Sequence, residues 1–234
     1  MTIYVCMDDT DNLNSRGTGR LARVVAEEIS KKYEVYGVTR HQLYVHPEIP
    51  FTSHNSCAVI HVKEGKIKNI KDIFKIAREN MLNDFIEGSD PGLAVAHIKQ
   101  ISPSLVAFGK DAKNKILTQE KARELAKNLN IKLEGLGGTE DGVIGAIAGL
   151  GLVFTGNDGR FIHKGNIRKL IGPHKAEILL KNGVDAIFTM NGLPVTEGII
   201  FNEQNKSVKP CPVNGKGILY VEEHNGVLKA LKRD

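Results

Sequence analysis

An acidic cluster directly after a short apolar run is the feature that most constrains this chain. Residues 3–7 have the β-branched and aromatic character of a buried strand, and Asp8, Asp9 and Asp11 follow at once. Three neighbouring carboxylates repel one another, and a cation would neutralise them. Mg²⁺ prefers such oxygen ligands, usually one or two carboxylates together with phosphate oxygens. We therefore predict that Asp8, Asp9 and Asp11 bind Mg²⁺; an acidic turn without a ligand is the alternative.

A glycine-containing loop over residues 15–20 follows and leads into an amphipathic helix predicted over 18–33. The loop lacks the Gly-Lys-Ser/Thr of a Walker A motif and does not match Gly-x-Gly-x-x-Gly. The N-terminus of a helix nevertheless favours phosphate, because its backbone N–H groups and its dipole face the ligand. The residues predicted to contact a nucleotide here are Arg16, Gly17, Gly19 and Arg20.

A second glycine cluster occupies residues 135–142, ahead of a segment rich in Ile, Ala and Gly. Two interpretations are open. Gly138 and Gly142 could let the backbone approach a bound anion, or the cluster could simply connect to a helix that packs tightly against a sheet.

A polar cluster, His54, Asn55 and Ser56, precedes a strand predicted over 56–62. We predict that these three side chains contact the substrate. A metal site built from the nearby histidines is less favoured, because they lack close ligand spacing.

Composition excludes some classes of protein and agrees with others. The 234 residues carry a net charge of +5, which suits a nucleotide or RNA partner. Only 6% of them are aromatic and none is Trp, which argues against an aromatic platform for single-stranded nucleic acid. The three cysteines form no C-x-x-C pair, which argues against a zinc ribbon or finger. Their odd number, without a pairing pattern, favours a reducing, cytoplasmic location. No apolar run approaches the length of a membrane span, so we predict no membrane partner.

Helical and extended patterns alternate along the chain without regular βα units, which predicts an α+β fold. Four segments, taken in the same order along the chain, resemble segments of the archaeal tRNA-isoleucine agmatidine synthetases. They are residues 7–18, His-Pro-Glu-Ile-Pro-Phe at 46–51, Asp-Pro-Gly at 90–92, and the Gly- and Ala-rich stretch at 141–151. The resemblance spans roughly residues 1–155. It does not reach the OB-like domain and zinc ribbon with which family members end.

The resemblance implies a kinase-like α/β domain joined to a ferredoxin-like domain, with ATP and Mg²⁺ as cofactors and tRNA as the family's substrate. It implies that Asp8, Asp9 and Asp11 are catalytic and that Thr18 becomes phosphorylated. On this basis we predict a kinase-like domain from residues 1–63 and 135–183, a ferredoxin-like insertion at 64–134, and a mainly β segment at 184–234.

The predicted function is that of an ATP- and Mg²⁺-dependent phosphotransferase or ligase related to these synthetases, whose substrate the sequence does not identify. Weak binding to tRNA is one expectation. The alternative is a nucleotide- or RNA-binding module without turnover. A phosphatase of the haloacid dehalogenase type is suggested by Asp9-x-Asp11, but the chain lacks a convincing downstream acidic motif.

Overall fold

The computed structural model describes residues 2–12, 17–50, 52, 54–63, 65, 70–224 and 226–233. The chain forms two compact units, Met1–Thr155 (unit 1) and Gly156–Asp234 (unit 2). Within the described ranges, every helix is too short or too polar to span a bilayer.

Unit 1 is built on an antiparallel sheet whose described strands lie in the order β5-β4-β1-β3-β2. They are β1 (Thr2–Asp8), β2 (Val35–Gln42), β3 (Ser56–Lys63), β4 (Gly92–His97) and β5 (Lys132–Gly135). β1 and β3 are almost fully buried because they lie inside the sheet and both of their faces are covered. β1 and β2 run in the same direction and β3 runs against them. Asp8 and Gln42, at the ends of β1 and β2, therefore lie on the same side of the sheet as Ser56, at the start of β3.

Helices cover both faces of this sheet. Tyr4 and Cys6 of β1 share a buried cluster with Ala146 and Ile147, so their face is covered by α5 (Gly142–Phe154). Helices α3 (Pro103–Asp111) and α4 (Gln119–Asn128) lie on the same side. Alternate residues of a strand point to opposite faces, so Val5 and Met7 face the other layer. That layer contains α1 (Thr18–Ser30) and α2 (Ile70–Asn83).

The α5 helix packs unusually close to the sheet. A Cβ atom added at Gly149 would overlap Cys6 Sγ and would lie 2.7 Å from Cys57 Sγ. The small residues of this helix therefore serve packing, as one of the two interpretations of the second glycine cluster predicted.

Unit 2 has its own sheet, in the order β10-β11-β12-β9-β7, with β8 paired to β11. A separate apolar core includes Ile187, Leu219 and Val221. Its elements are β6 (Arg160–His163), β7 (His174–Lys175), α6 (Ala176–Lys181), β8 (Ala186–Thr189), β9 (Ile199–Phe201), β10 (Cys211–Val213), β11 (Lys216–His224) and β12 (Val227–Ala230).

The predicted α+β class is confirmed. The two units do not coincide with the predicted domains. Those were a kinase-like domain of residues 1–63 with 135–183, an insertion of residues 64–134, and a β segment of residues 184–234. β4 and β5 lie within 64–134, yet they pair into the same sheet as β1, so the contacts do not set that segment apart. Residues 156–183 belong to unit 2, and unit 1 ends just after α5.

Candidate active site

A cavity of about 370 Å³ opens in unit 1 at the edge of the sheet where β1 and β2 end and β3 begins. Nine of the predicted site residues line it: Asp8, Asp9, Asp11, Gly17, Thr18, Gly19, His54, Asn55 and Ser56. Asp8 and Ser56, which are 48 positions apart in sequence, meet here because β1 and β3 are neighbours in the sheet. Part of the wall is apolar and consists of Leu43, Ile49, Pro50, Ile116, Leu117 and Ile144.

Asp8 is the last residue of β1, and the alternation of the strand turns it toward α5. It lies so close to the helix that a Cβ added at Gly145 would overlap its Oδ2. Burial raises the pKa of Asp8 well above its ordinary value, and the charges of Asp9 and Asp11 raise it further. Asp8 is thus a carboxyl group held at the inner end of the cavity with only 8% of its surface exposed.

Asp9 adopts a left-handed backbone conformation, with φ at 53°. Its carbonyl oxygen accepts a hydrogen bond of 3.1 Å from the backbone N–H of Asp90, which ties the end of β1 to the start of β4. The pKa of Asp9 is raised to about 6, first by burial and then by the charges of Asp90, Asp11 and Asp141. This excess of negative charge is what a cation would relieve.

Thr18 connects the acidic cluster to α1. Its hydroxyl group donates to Asp11 Oδ1 over 2.8 Å and accepts a hydrogen bond of 3.1 Å from the hydroxyl of Thr10. The hydroxyl of Thr52 donates to the other oxygen of Asp11 over 3.0 Å. The cap position of α1 is Gly17, at φ 80°, so the Thr18 side chain is engaged with the carboxylate and does not cap the helix.

Two further aspartates that sequence reasoning missed belong to this region. Asp141 lines the cavity, and its Oδ1 accepts a hydrogen bond of 2.7 Å from Gln119 Nε2. Asp90 holds the loop before α5: its carbonyl oxygen accepts from Gly142 N at 2.9 Å, and its Oδ1 accepts from Thr139 N. Asp90 and Asp141 lie in segments that carry the family resemblance, so that resemblance could have identified them as candidate site residues.

The remaining predicted residues lie elsewhere. Gly142 packs against Gly92, where an added Cβ would lie 2.5 Å from the Gly92 nitrogen, and it is not among the residues that line the cavity. Gly138 likewise sits outside the lining, close to Asp90. Arg20 is exposed on α1, and Arg16 lies outside the described residues.

The acidic residues do not form a preassembled metal cage. Within the described ranges, no three His, Cys, Asp or Glu side chains converge well enough to hold an ion by themselves. Mg²⁺ commonly binds through only one or two carboxylates, with phosphate and water supplying the other ligands. The oxygen donors of Asp9 and Asp11 fit an ion that arrives together with phosphate.

Comparison with protein-family models and with the sequences of curated proteins finds no match. Solved structures do match in fold. One is apo TiaS, an agmatidine synthetase that acts on an isoleucine tRNA, with a TM-score of 0.55 and 21% identity, over 64% of this chain and 35% of that one. The complex of TiaS with its isoleucine tRNA and ATP gives 0.56 and 22%, over 64% and 36%. A structure described as a tRNA fluorescent labelling enzyme gives the same four values.

The match covers 64% of this chain, which is close to the fraction of the chain that Met1–Thr155, unit 1, makes up. The chain spans about a third of the length of the structures that it matches. The resemblance predicted from the four sequence segments is therefore confirmed at the level of the fold.

Proposed function

We propose that unit 1 is an ATP- and Mg²⁺-dependent phosphotransferase or ligase related to the tRNA-isoleucine agmatidine synthetase TiaS. The observation that carries the proposal is the meeting of Asp8, Asp9 and Asp11 with Thr18 and the N-terminus of α1 in one cavity. The fold likeness to a complex of TiaS with tRNA and ATP supports the same assignment. The apolar part of the wall is suited to a nucleobase, since such walls bury most of a ligand's surface.

Phosphoryl transfer depends mainly on positioning and on neutralising charge. Asp9 and Asp11 would hold Mg²⁺, which would offset the negative charge of the phosphates. The N-terminus of α1 would face the phosphates with its backbone N–H groups. Asp11 already accepts the hydroxyl hydrogen of Thr18, so it is placed to take that proton when the Thr18 oxygen attacks the terminal phosphorus of ATP. The bond from that phosphorus to the bridging oxygen would break, and ADP would leave.

The alternative, a nucleotide- or RNA-binding module without turnover, accounts less well for the acidic cluster. Four aspartates, Asp8, Asp9, Asp11 and Asp141, line the cavity. Without a cation they would repel the phosphates that such a module must bind. An enzyme that uses Mg²⁺ has a reason to keep them together.

As the polymer substrate we propose tRNA, bound weakly through its phosphates. Unit 2 contains twelve Lys and Arg residues against eight Asp and Glu residues, so most of the net positive charge of the chain lies there. A basic surface of this kind binds the RNA backbone without reading its sequence. We also place the protein in the cytoplasm, because Cys6, Cys57 and Cys211 are all free thiols.

Calorimetry with ATP in Mg²⁺ and in EDTA tests the first step, and chromatography of the nucleotide products with pooled tRNA, with and without agmatine, tests turnover. We expect binding only with Mg²⁺ and ATP cleavage that depends on tRNA or on a co-substrate. Equal ATP affinity in EDTA would remove the metal role of the aspartates. Metal-dependent binding with no product under any condition would favour the binding module.

A further inference from the structure

We propose that Thr10 is a positioning residue for phosphoryl transfer, because it holds the Thr18 oxygen in place and directs the Thr18 hydroxyl hydrogen toward Asp11. The inference rests on the proposed function and adds a residue to it. Thr10 stands between two aspartates of the acidic cluster, and its side chain is neutral. Its contribution therefore has to come from hydrogen bonds.

Thr10 is buried beside the cavity and does not line it. Only 5% of its surface is exposed, and the lining includes its partner Thr18 but not Thr10 itself. The turn that carries Thr10 is held by Asp9, whose backbone is left-handed and whose carbonyl oxygen accepts a hydrogen bond of 3.1 Å from Asp90 N. A hydroxyl group in this place influences a bound ligand through its neighbours.

Two hydrogen bonds run from Thr10 to the same oxygen of Thr18. The Thr10 hydroxyl donates to Thr18 Oγ1 over 3.1 Å, and the Thr10 backbone N–H donates to it over 3.4 Å. A threonine hydroxyl has one hydrogen and two acceptor lone pairs. Because its acceptor side faces Thr10, the hydroxyl hydrogen of Thr18 is directed at Asp11 Oδ1, which accepts it over 2.8 Å.

The same two donors remain in place during the reaction. When Asp11 takes the proton, the electron pair of the Thr18 O–H bond forms the bond to the terminal phosphorus of ATP, and ADP leaves. Negative charge develops on the Thr18 oxygen before that bond is complete, and fixed donors stabilise such charge without having to reorganise. At the far end, Thr52 donates to Asp11 Oδ2 over 3.0 Å and holds the carboxylate that receives the proton.

The test follows phosphorylation of Thr18 over time by mass spectrometry with peptide mapping, at saturating ATP and Mg²⁺, and measures ATP affinity by calorimetry. Thr10→Val removes the hydroxyl at nearly constant shape. It should slow phosphorylation about tenfold, because a hydrogen bond to the reacting oxygen is lost, and should bind ATP like the wild type. Thr10→Ser keeps the donor and should recover most of the rate.

Thr39→Val is the matched control. It removes a buried hydroxyl from β2 of the same unit, outside the cavity lining, where Thr39 Oγ1 lies 2.8 Å from His41 Nε2. This variant should lower the melting temperature and leave the rate of Thr18 phosphorylation unchanged. It separates the loss of a buried hydrogen bond in general from the loss of the one that reaches Thr18.

Thr10→Ala beside Thr10→Ser keeps the test decisive if Thr10→Val does not fold, since alanine and serine differ by one oxygen atom. Equal rates in these two variants, or a wild-type rate in Thr10→Val, would overturn the role of Thr10 and leave the proposed function in place. A loss of ATP affinity as large as the loss of rate would show that Thr10 is only structural. Absence of phosphate on wild-type Thr18 with ATP bound would instead overturn the phosphorylation step of the proposed function, and the role of Thr10 with it.

Discussion

The hydroxyl oxygen of Thr18 lies 2.8 Å from Asp11 Oδ1 and donates its hydrogen to that carboxylate. A threonine at the first position of a helix can stay in solvent, yet this one is buried, with only 7% of its surface exposed. The pair thus joins a candidate nucleophile to a candidate base inside the cavity.

Incubation with ATP and Mg²⁺ should add one phosphate to Thr18. Intact mass spectrometry followed by peptide mapping measures this directly. Thr18→Ser keeps the hydroxyl and should still be modified, whereas Thr18→Val should not. The valine variant should also lose about 1–2 kcal/mol of unfolding free energy, because the hydrogen bond to a charged partner is gone. An unmodified wild-type protein that still turns over ATP would leave Thr18 with a structural role only.

Replacing Asp9 with Asn should stabilise the metal-free protein above pH 6. The pKa of Asp9 in the folded protein is about 6, above its ordinary value of 3.8, so the folded form binds this proton more tightly. Stability contributed by that proton is present at pH 4 and is lost as the pH rises through 6. Asparagine does not titrate, and it tolerates the positive φ of this position.

Thermal melts in EDTA between pH 4 and pH 8 measure the effect. The melting temperature of Asp9→Asn should rise relative to that of the wild type across this range. Asp84→Asn, at an exposed position after α2, removes one charge without touching the cluster and should not reproduce the trend. A constant difference across the range for Asp9→Asn would show that the cluster does not strain the folded state.

Gly145→Ala should displace Asp8 and lower the affinity for Mg²⁺-ATP at least about tenfold, since the new methyl group would overlap Asp8 Oδ2. Gly149→Ala is a matched control on the same helix, because its methyl group would instead overlap Cys6 Sγ in the core. Both variants should lose about 1–3 kcal/mol of stability through overpacking. Calorimetry separates them: wild-type ATP affinity in Gly145→Ala would mean that the position of Asp8 is unimportant for binding.

Binding to tRNA should be weak and should fall steeply as salt increases. Phosphate contacts dominate such binding, and each one adds to the slope of affinity against salt. Gel shifts across a salt series provide the measurement. The double variant Arg168→Ala with Lys169→Ala, in unit 2, should reduce the slope and leave ATP affinity unchanged. Tight, salt-insensitive binding to one isoleucine tRNA would contradict this expectation.

Much of unit 1 could be predicted from local sequence. The predicted strand at 3–7 and helix at 18–33 correspond to β1 and α1, because apolar periodicity reports burial directly. The sequence also predicts that Thr118 caps a helix, and its hydroxyl oxygen does accept a hydrogen bond from Lys121 N. The turn residues Asn157-Asp158-Gly159 predict a hairpin over 154–162, and this prediction is wrong. Helix α5 continues through Phe154, and its Gly- and Ala-rich sequence shows no clear helical period.

The candidate site was only partly visible in the sequence. Asp8, Asp9 and Asp11 stand out because they are adjacent, whereas Arg40 and Asp141 reach the cavity through strand pairing and helix packing over long sequence separations. Gly145 looks like any other small residue of α5, and its importance appears only when Asp8 is seen against it. Spacing in sequence carries no information about such contacts until the sheet order is known.

The packing of α5 on β1 has a consequence for how the protein is made. Cys6 Sγ donates to the carbonyl oxygen of Gly145, a contact between residues 139 positions apart. During synthesis the first strands leave the ribosome long before the helix that covers them, so their apolar face stays open until residue 154 has emerged. Contacts at such long range slow folding and prolong this exposure. The nascent chain should therefore depend on chaperones until α5 docks, and the cavity should be among the last features to form.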